Sequence, residues 1–298
     1  MQFMFQYPDF HGPDGDLLDA GSITELAVAA ENSGWSGMSF TEHPAPGAKW
    51  LASGGHQTLD PFVALGAVAA VTTKLKLLTY LTVVPYRNPL MLAKAAATVD
   101  KLSNGRFILG TGAGYLKGEF RSLGVDIEER NELFDEALDV LPLHWSGETF
   151  SYEGKHFSAR DVMARPRPVQ QPIPIWIGGN AKITLKRVAE KAQGWMPLVG
   201  PAVMAKTARS PHLESIESIA ERLDMLRELA GDRFDQLDIA VSYSEQTLHQ
   251  TGDTQRHLEA FEAIRQLGAT WIVISGPTGV APQARDFVQQ FGQDYLGQ

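Results

Sequence analysis

Glu42 and His43 stand side by side in Phe40-Thr41-Glu42-His43-Pro44, where an apolar run gives way to loop residues. A carboxylate and an imidazole facing one site can hold, deliver or accept a proton, and the imidazole is the side chain whose ordinary pKa lies nearest neutrality. Neighbouring side chains of a strand point to opposite faces, so both reach one mouth only if the strand has ended, and Pro44 supports that ending. His43 is therefore the candidate for proton transfer or hydrogen bonding, and Glu42 the group that holds a loop or a cofactor. The alternative for His43 is an imidazole that closes a structural hydrogen bond.

Two glycine turns add candidate binding backbone. Gly110-Thr111-Gly112-Ala113-Gly114 lets main chain approach a ligand, although Tyr115, Leu116 and Lys117 fill the places where a dinucleotide fingerprint carries its further glycine. A tight turn with no ligand fits that run as well. Gly178-Gly179-Asn180 leads from an apolar strand into a helix, whose free N–H groups suit a phosphate, with Lys182, Lys186 and Arg187 close in sequence to neutralise it. A glycine-eased turn beside a solvated basic face is the competing account. His11 with Asp9, Asp14 and Asp16 has the donor types of a metal site but reads better as an exposed acidic turn. His144, His156, His212, His249 and His257 lack ligand spacing and are assigned to surface or packing. No Gly-x-Ser-x-Gly elbow, phosphate-binding Gly-Lys-Ser/Thr loop or His-Glu-x-x-His pattern occurs, and without cysteine there is neither a disulfide nor a thiolate site.

These residues must be carried by something, and the alternation of apolar runs with helix-period segments says what. Strands are expected near residues 2 to 7, 37 to 42, 75 to 84, 106 to 112, 173 to 178, 195 to 199, 237 to 243 and 270 to 275. Helices are expected over Ile23 to Asn32, Phe62 to Val71, Leu90 to Leu102, Glu129 to Leu141, Ile183 to Gln193, Ile216 to Ala230, Gln255 to Leu267 and Ala284 to Tyr295. Ser22-Ile23-Thr24-Glu25 reads as a capping box, and Asp60-Pro61 and Asn88-Pro89 each put an N-cap before a proline at the first helical position. Eight strands alternating with eight helices close most naturally into a (β/α)8 TIM barrel, although an open doubly wound sheet shares the local pattern. Thr79-Tyr80-Leu81-Thr82, followed by Arg87-Asn88-Pro89, marks the third strand end, and active sites of such barrels lie at strand ends.

The length of 298 residues suits one barrel of roughly 250 residues plus insertions, so 1–298 is taken as a single domain. Insertions are placed after strand 4 and helix 4, at Ser146 to Pro172, and after strand 6, at Gly200 to Ser215. The first contains alternation suited to a hairpin around Glu153-Gly154-Lys155, and the second lies on the rim where a lid would sit. Pro142 predicts a kink or an early stop near Val140. A net charge of −9 disfavours a nucleic-acid partner, and no apolar run approaches the roughly 20 residues of a membrane helix. With no basic, cleavable leader at Met1 to Tyr7, a cytoplasmic location and a small-molecule substrate are expected.

Taken together, Thr41-Glu42-His43, Tyr80-Leu81-Thr82 with Arg87-Asn88-Pro89, Leu102-Ser103-Asn104-Gly105-Arg106-Phe107 before the glycine run, and Pro174 to Asn180 resemble the bacterial luciferase-like superfamily. Within it, Gly114-Tyr115-Leu116-Lys117-Gly118-Glu119-Phe120 and Leu123-Gly124-Val125-Asp126 look like the branch assigned to coenzyme F420, a deazaflavin. The resemblance implies an oxidoreductase that passes hydride to or from a small organic substrate, with FMN and oxygen chemistry as the alternative. It also implies a non-proline cis peptide at Tyr80-Leu81, a cofactor held by Glu42, Tyr80, Leu81, Thr82, Gly112, Gly178, Gly179 and Asn180, and His43 near ring and substrate. A homodimer and a separate cofactor reductase belong to the same expectation. Sugar-phosphate dehydrogenases of the deazaflavin group carry a catalytic glutamate where Tyr115 stands and an asparagine where Gly118 stands, so sugar-phosphate oxidation is not expected. Glu119 is a candidate acid or a partner of its helix dipole.

Overall fold

The computed structural model describes residues 1–11, 17–249, 253–277 and 281–297. Its centre is a closed ring of eight parallel strands: β1 (Gln2–Gln6), β2 (Gly37–Phe40), β3 (Lys76–Thr79), β4 (Phe107–Gly112), β5 (Ile175–Gly178), β6 (Gly194–Met196), β7 (Asp238–Tyr243) and β8 (Trp271–Ser275). Closure comes from β4 pairing with β5 and β8 pairing with β1, which removes the open-sheet alternative. Both faces of each strand are covered, which is why the strands read as apolar runs. Met4, Leu78, Ile108, Trp176, Met196, Ala240, Trp271 and Val273 fill the inside, while Phe5, Met38, Leu77, Phe107 and Ile272 face the helices.

The crossovers are α1 (Ile23–Asn32), α2 (Pro61–Val71), α3 (Pro89–Leu102), α4 (Arg130–Ser146), α5 (Lys182–Lys191), α6 (Ile216–Ala230), α7 (Thr254–Gln266) and α8 (Ala281–Phe291). Asp60 accepts from the N–H groups of Phe62 and Val63, and Asn88 from that of Leu90, so both proline-started helices are capped as expected. Ser22 makes no such bond; its hydroxyl pairs with Thr24 Oγ1, and the capping box forms instead at Ser215 and Ser218.

Three elements run differently from the expectation. Pro142 does not stop α4, which runs on to Ser146 because Leu141 and Trp145 are buried and the Trp145 indole donates to Ala93 O at 3.0 Å. The sixth strand ends at Met196, ahead of Pro197, which has no N–H to give a ladder. The third strand ends at Thr79; a cis peptide joins Tyr80 to Leu81, and Thr82–Val83 then pairs with Thr111 and Gly112 of β4. The expected hairpin forms from Thr149–Glu153 and Ser158–Met163, and the insertion after β6 carries a short helix, Ala202–Ala208. No helix among the described residues is long and apolar enough to cross a membrane.

Candidate active site

The carboxyl ends of β1 to β6 gather the titratable groups at one rim. His43, 7% exposed, leaves β2 with its Nδ1 3.1 Å from Glu119 Oε2, and its own N–H donates to Thr58 Oγ1 at 2.8 Å. Glu119, 1% exposed, comes from the short helix Lys117–Ser122 that follows β4. It also accepts from the Tyr86 hydroxyl at 3.0 Å and from Ala45 N–H at 3.2 Å, so three donors converge on one buried carboxylate. Burial and the nearby Glu119 charge push the Tyr86 phenol up, and the same causes take Tyr115 up to about 12. The His43 ring lies 4.7 Å from Trp50 and 4.8 Å from His56, centroid to centroid. A cleft of about 270 Å³ opens beside it, walled by Glu42, His43 and Pro44 on one side and Gln57 to Asp60 on the other.

Glu42 holds a loop and also lines the cleft. Its Oε2 accepts from Val83 N–H at 2.7 Å and its Oε1 pairs with Arg87, which also reaches Asp60 at 3.3 Å and lies over the Phe62 ring. Burial raises its pKa, with Arg87 opposing the rise. Tyr80 turns into the barrel and packs with the inner cluster; burial takes its phenol up to about 12 against a hydrogen bond to Ser242. Leu81 is wedged between the ends of β4 and β5: a Cβ on Gly112 would sit 2.5 Å from Leu81 Cδ1, and one on Gly178 would collide with Cδ2. A side chain at either glycine would therefore need Leu81 to move aside, a contact the sequence alone does not disclose. The Thr82 hydroxyl is buried and makes no hydrogen bond among the described residues.

Much of the hydrogen-bonding capacity of the expected phosphate turn is spent within the chain. Asn180 is fully buried and spends its side chain on the chain itself, donating to Leu198 O and Pro211 O at 2.8 Å and accepting from Leu198 N–H at 2.9 Å. Gly179 N–H is taken by Met196 O and Asn180 N–H by Ser210 Oγ, so the amides left without an acceptor among the described residues begin at the uncapped start of α5. Arg187 is not a free cation either. It is buried, bonded to Asp135 at 2.7 Å and 3.0 Å and to Asn131, and lies over Phe134, because it locks α5 to α4. Lys186 pairs with Glu190, leaving exposed Lys182.

Asp9 is likewise not an exposed turn residue: it lies 16% exposed beneath Gln6, Thr41 and His56. The side chain of His11, and Asp14 and Asp16, lie outside the described residues, and no cluster suited to a metal occurs among those described. Sequence reasoning missed Trp50, His56 and Tyr86 at this rim. The only signal was position, since loops that follow barrel strands are where such residues gather.

A closed parallel barrel whose carboxyl rim holds a buried imidazole–carboxylate pair defines the class of (β/α)8 enzymes. Residues 1–242 match the model of the luciferase-like monooxygenase family, and the chain belongs to that family of oxidoreductases. An uncharacterized protein of Mycobacterium tuberculosis is 35% identical over 156 residues, which are 52% of this chain and 55% of that one, so the chain spans about half the length of such curated relatives. An F420-dependent glucose-6-phosphate dehydrogenase of Nakamurella multipartita is 30% identical over 68% of this chain and 60% of its own length. Monooxygenase RslO1 from Streptomyces bottropensis shares the fold with a TM-score of 0.76 at 21% identity, covering 99% of both chains.

Proposed function

We propose that the chain is an oxidoreductase that exchanges hydride between a reduced or oxidised flavin-type ring and a small organic substrate, with coenzyme F420 the favoured cofactor. The observation that carries this reading is the buried His43–Glu119 pair at the carboxyl rim, beside the Leu81 wedge. Three features of this rim suit a planar heterocycle with a phosphate tail. Thr82 offers a buried hydroxyl without a partner among the described residues, Leu81 gives an apolar face backed by Gly112 and Gly178, and the start of α5 offers amides without an acceptor among those residues. When bound, such a ring supplies the two-electron chemistry.

The chain's own part is orientation and proton handling. Glu119 fixes the His43 ring through Nδ1, which leaves Nε2 as the imidazole atom able to exchange a proton or hydrogen bond with the flavin-type ring during hydride transfer. Tyr86 and Ala45 hold Glu119 in turn. The family's F420-dependent relatives support the deazaflavin. One observation favours FMN instead: Arg187 and Lys186 are consumed by Asp135 and Glu190, so the basic groove expected for a long anionic tail is reduced to Lys182. A homodimer and a separate reductase complete the proposal.

His43→Gln tests it. Turnover with either reduced cofactor is expected to fall by about 10²–10⁴-fold while cofactor affinity stays within a few-fold. Unchanged turnover would remove His43 from the chemistry.

A further inference from the structure

The end of β1 carries titratable side chains that the proposed reaction does not use. Asp9 Oδ2 accepts from Gln6 Nε2 at 3.1 Å and from Thr41 Oγ1 at 3.0 Å, and faces His56 Nε2 at 3.7 Å. Gln6 is held by Ser275 Oγ at 3.1 Å and also donates to Thr41 Oγ1 at 3.1 Å. Strand ends β1, β2 and β8 and the short strand His56–Gln57 therefore converge on a single carboxyl group. The hydrogen bonds from Gln6 and Thr41 both fall on Oδ2. Among the described residues, His43 and His56 are the titratable groups that bear on the Asp9 carboxyl, and their rings lie 4.8 Å apart. Burial raises Asp9 to about 7, with Thr41, His43 and Gln6 pulling the other way.

We propose that Asp9, backed by His56, is a second proton-exchanging group of the mouth, which serves the substrate while His43 and Glu119 serve the ring. The inference rests on the hydride-transfer reading above. Oxidising a substrate H–C–X–H, with X oxygen or nitrogen, breaks two bonds. The C–H electron pair leaves as hydride to the oxidised flavin-type ring, the X–H proton passes to the Asp9 carboxylate, and the X–H electron pair becomes the second C=X bond. Reduction runs the same transfers backwards, Asp9 giving the proton. Glu119 cannot stand in for Asp9, because both its oxygens already accept from three donors. An acid held near neutrality can take a proton in one direction and release it in the other.

Two measurements on the 298-residue chain test this with Asp9→Asn and Asp9→Glu. Without cofactor, imidazole signals assigned through His43→Gln and His56→Gln are followed by NMR across neutral pH. In Asp9→Asn the His56 titration is expected to move by about one pH unit, having lost its carboxylate partner. With the deazaflavin bound, a panel of secondary alcohols and amines is assayed, together with their ketones and imines. Asp9→Asn is expected to lower kcat about 100-fold and to flatten its dependence on pH near neutrality, Asp9→Glu to recover part of the loss, and deazaflavin affinity to stay within about twofold. An unmoved His56 titration, an unchanged kcat, or no exchange with any panel member by wild type that binds the cofactor overturns the inference. Wild type that binds neither deazaflavin nor FMN overturns the cofactor reading itself, and the two failures are thus told apart.

Discussion

Glu119 shows how much one side chain does at this rim. It is tied to His43, Tyr86 and Ala45, and replacing it by Gln keeps the shape while removing the charge that orients the imidazole. Turnover of Glu119→Gln is expected to fall about 10²-fold in steady-state assays. Glu119→Ala, which leaves the His43 ring, the Tyr86 hydroxyl and the Ala45 N–H without their acceptor, should also cost about 1–3 kcal/mol in urea unfolding. Asp9 has the opposite effect on stability. Its folded pKa of about 7 lies above the ordinary 3.8, so the native state holds the proton more tightly than the unfolded chain. The stability this confers is fully present below about pH 4 and is lost as pH rises through about 7. Relative to wild type, Asp9→Asn should gain on the order of 2–4 kcal/mol between about pH 4 and about pH 8, measured by urea unfolding at each pH. A difference that does not change with pH would contradict the assignment.

At the scale of elements, the wedge formed by Leu81 ties the β3 exit to β4 and β5. Gly178→Ala would bring a methyl group against Cδ2 of Leu81, the far end of a flexible side chain, so its cost is expected at the low end of overpacking, about 1 kcal/mol, and smaller still in the Leu81→Ala background. Urea midpoints of the four chains check this; an equal cost in both backgrounds would place the strain elsewhere. The same elements show what was legible in sequence. Helix starts at Asp60-Pro61 and Asn88-Pro89 were legible because cap and proline act within one turn. The course of α4 through Pro142 was not, because the anchor is Trp145 reaching Ala93 on another helix. Asn180 beside two glycines has the composition of a ligand turn, yet its partners are Leu198 and Pro211, from segments that meet it only after the barrel closes. His43 could be singled out by type and place; that Glu119, some 76 residues away, would hold it depends on the helix after β4 folding back over the rim.

Across the whole molecule, apolar runs of strand length in alternation with helical segments sufficed for the closed barrel, since parallel strands covered on both faces have few other ways to pack. The central claim is that this rim binds a redox heterocycle for hydride exchange. Anaerobic titration of the purified chain with deazaflavin and with FMN, followed by reduction and admission of oxygen, tests it most directly. The account predicts saturable deazaflavin binding, tighter than that of FMN, with no oxygen consumption by the reduced complex; saturation by neither ring would contradict it.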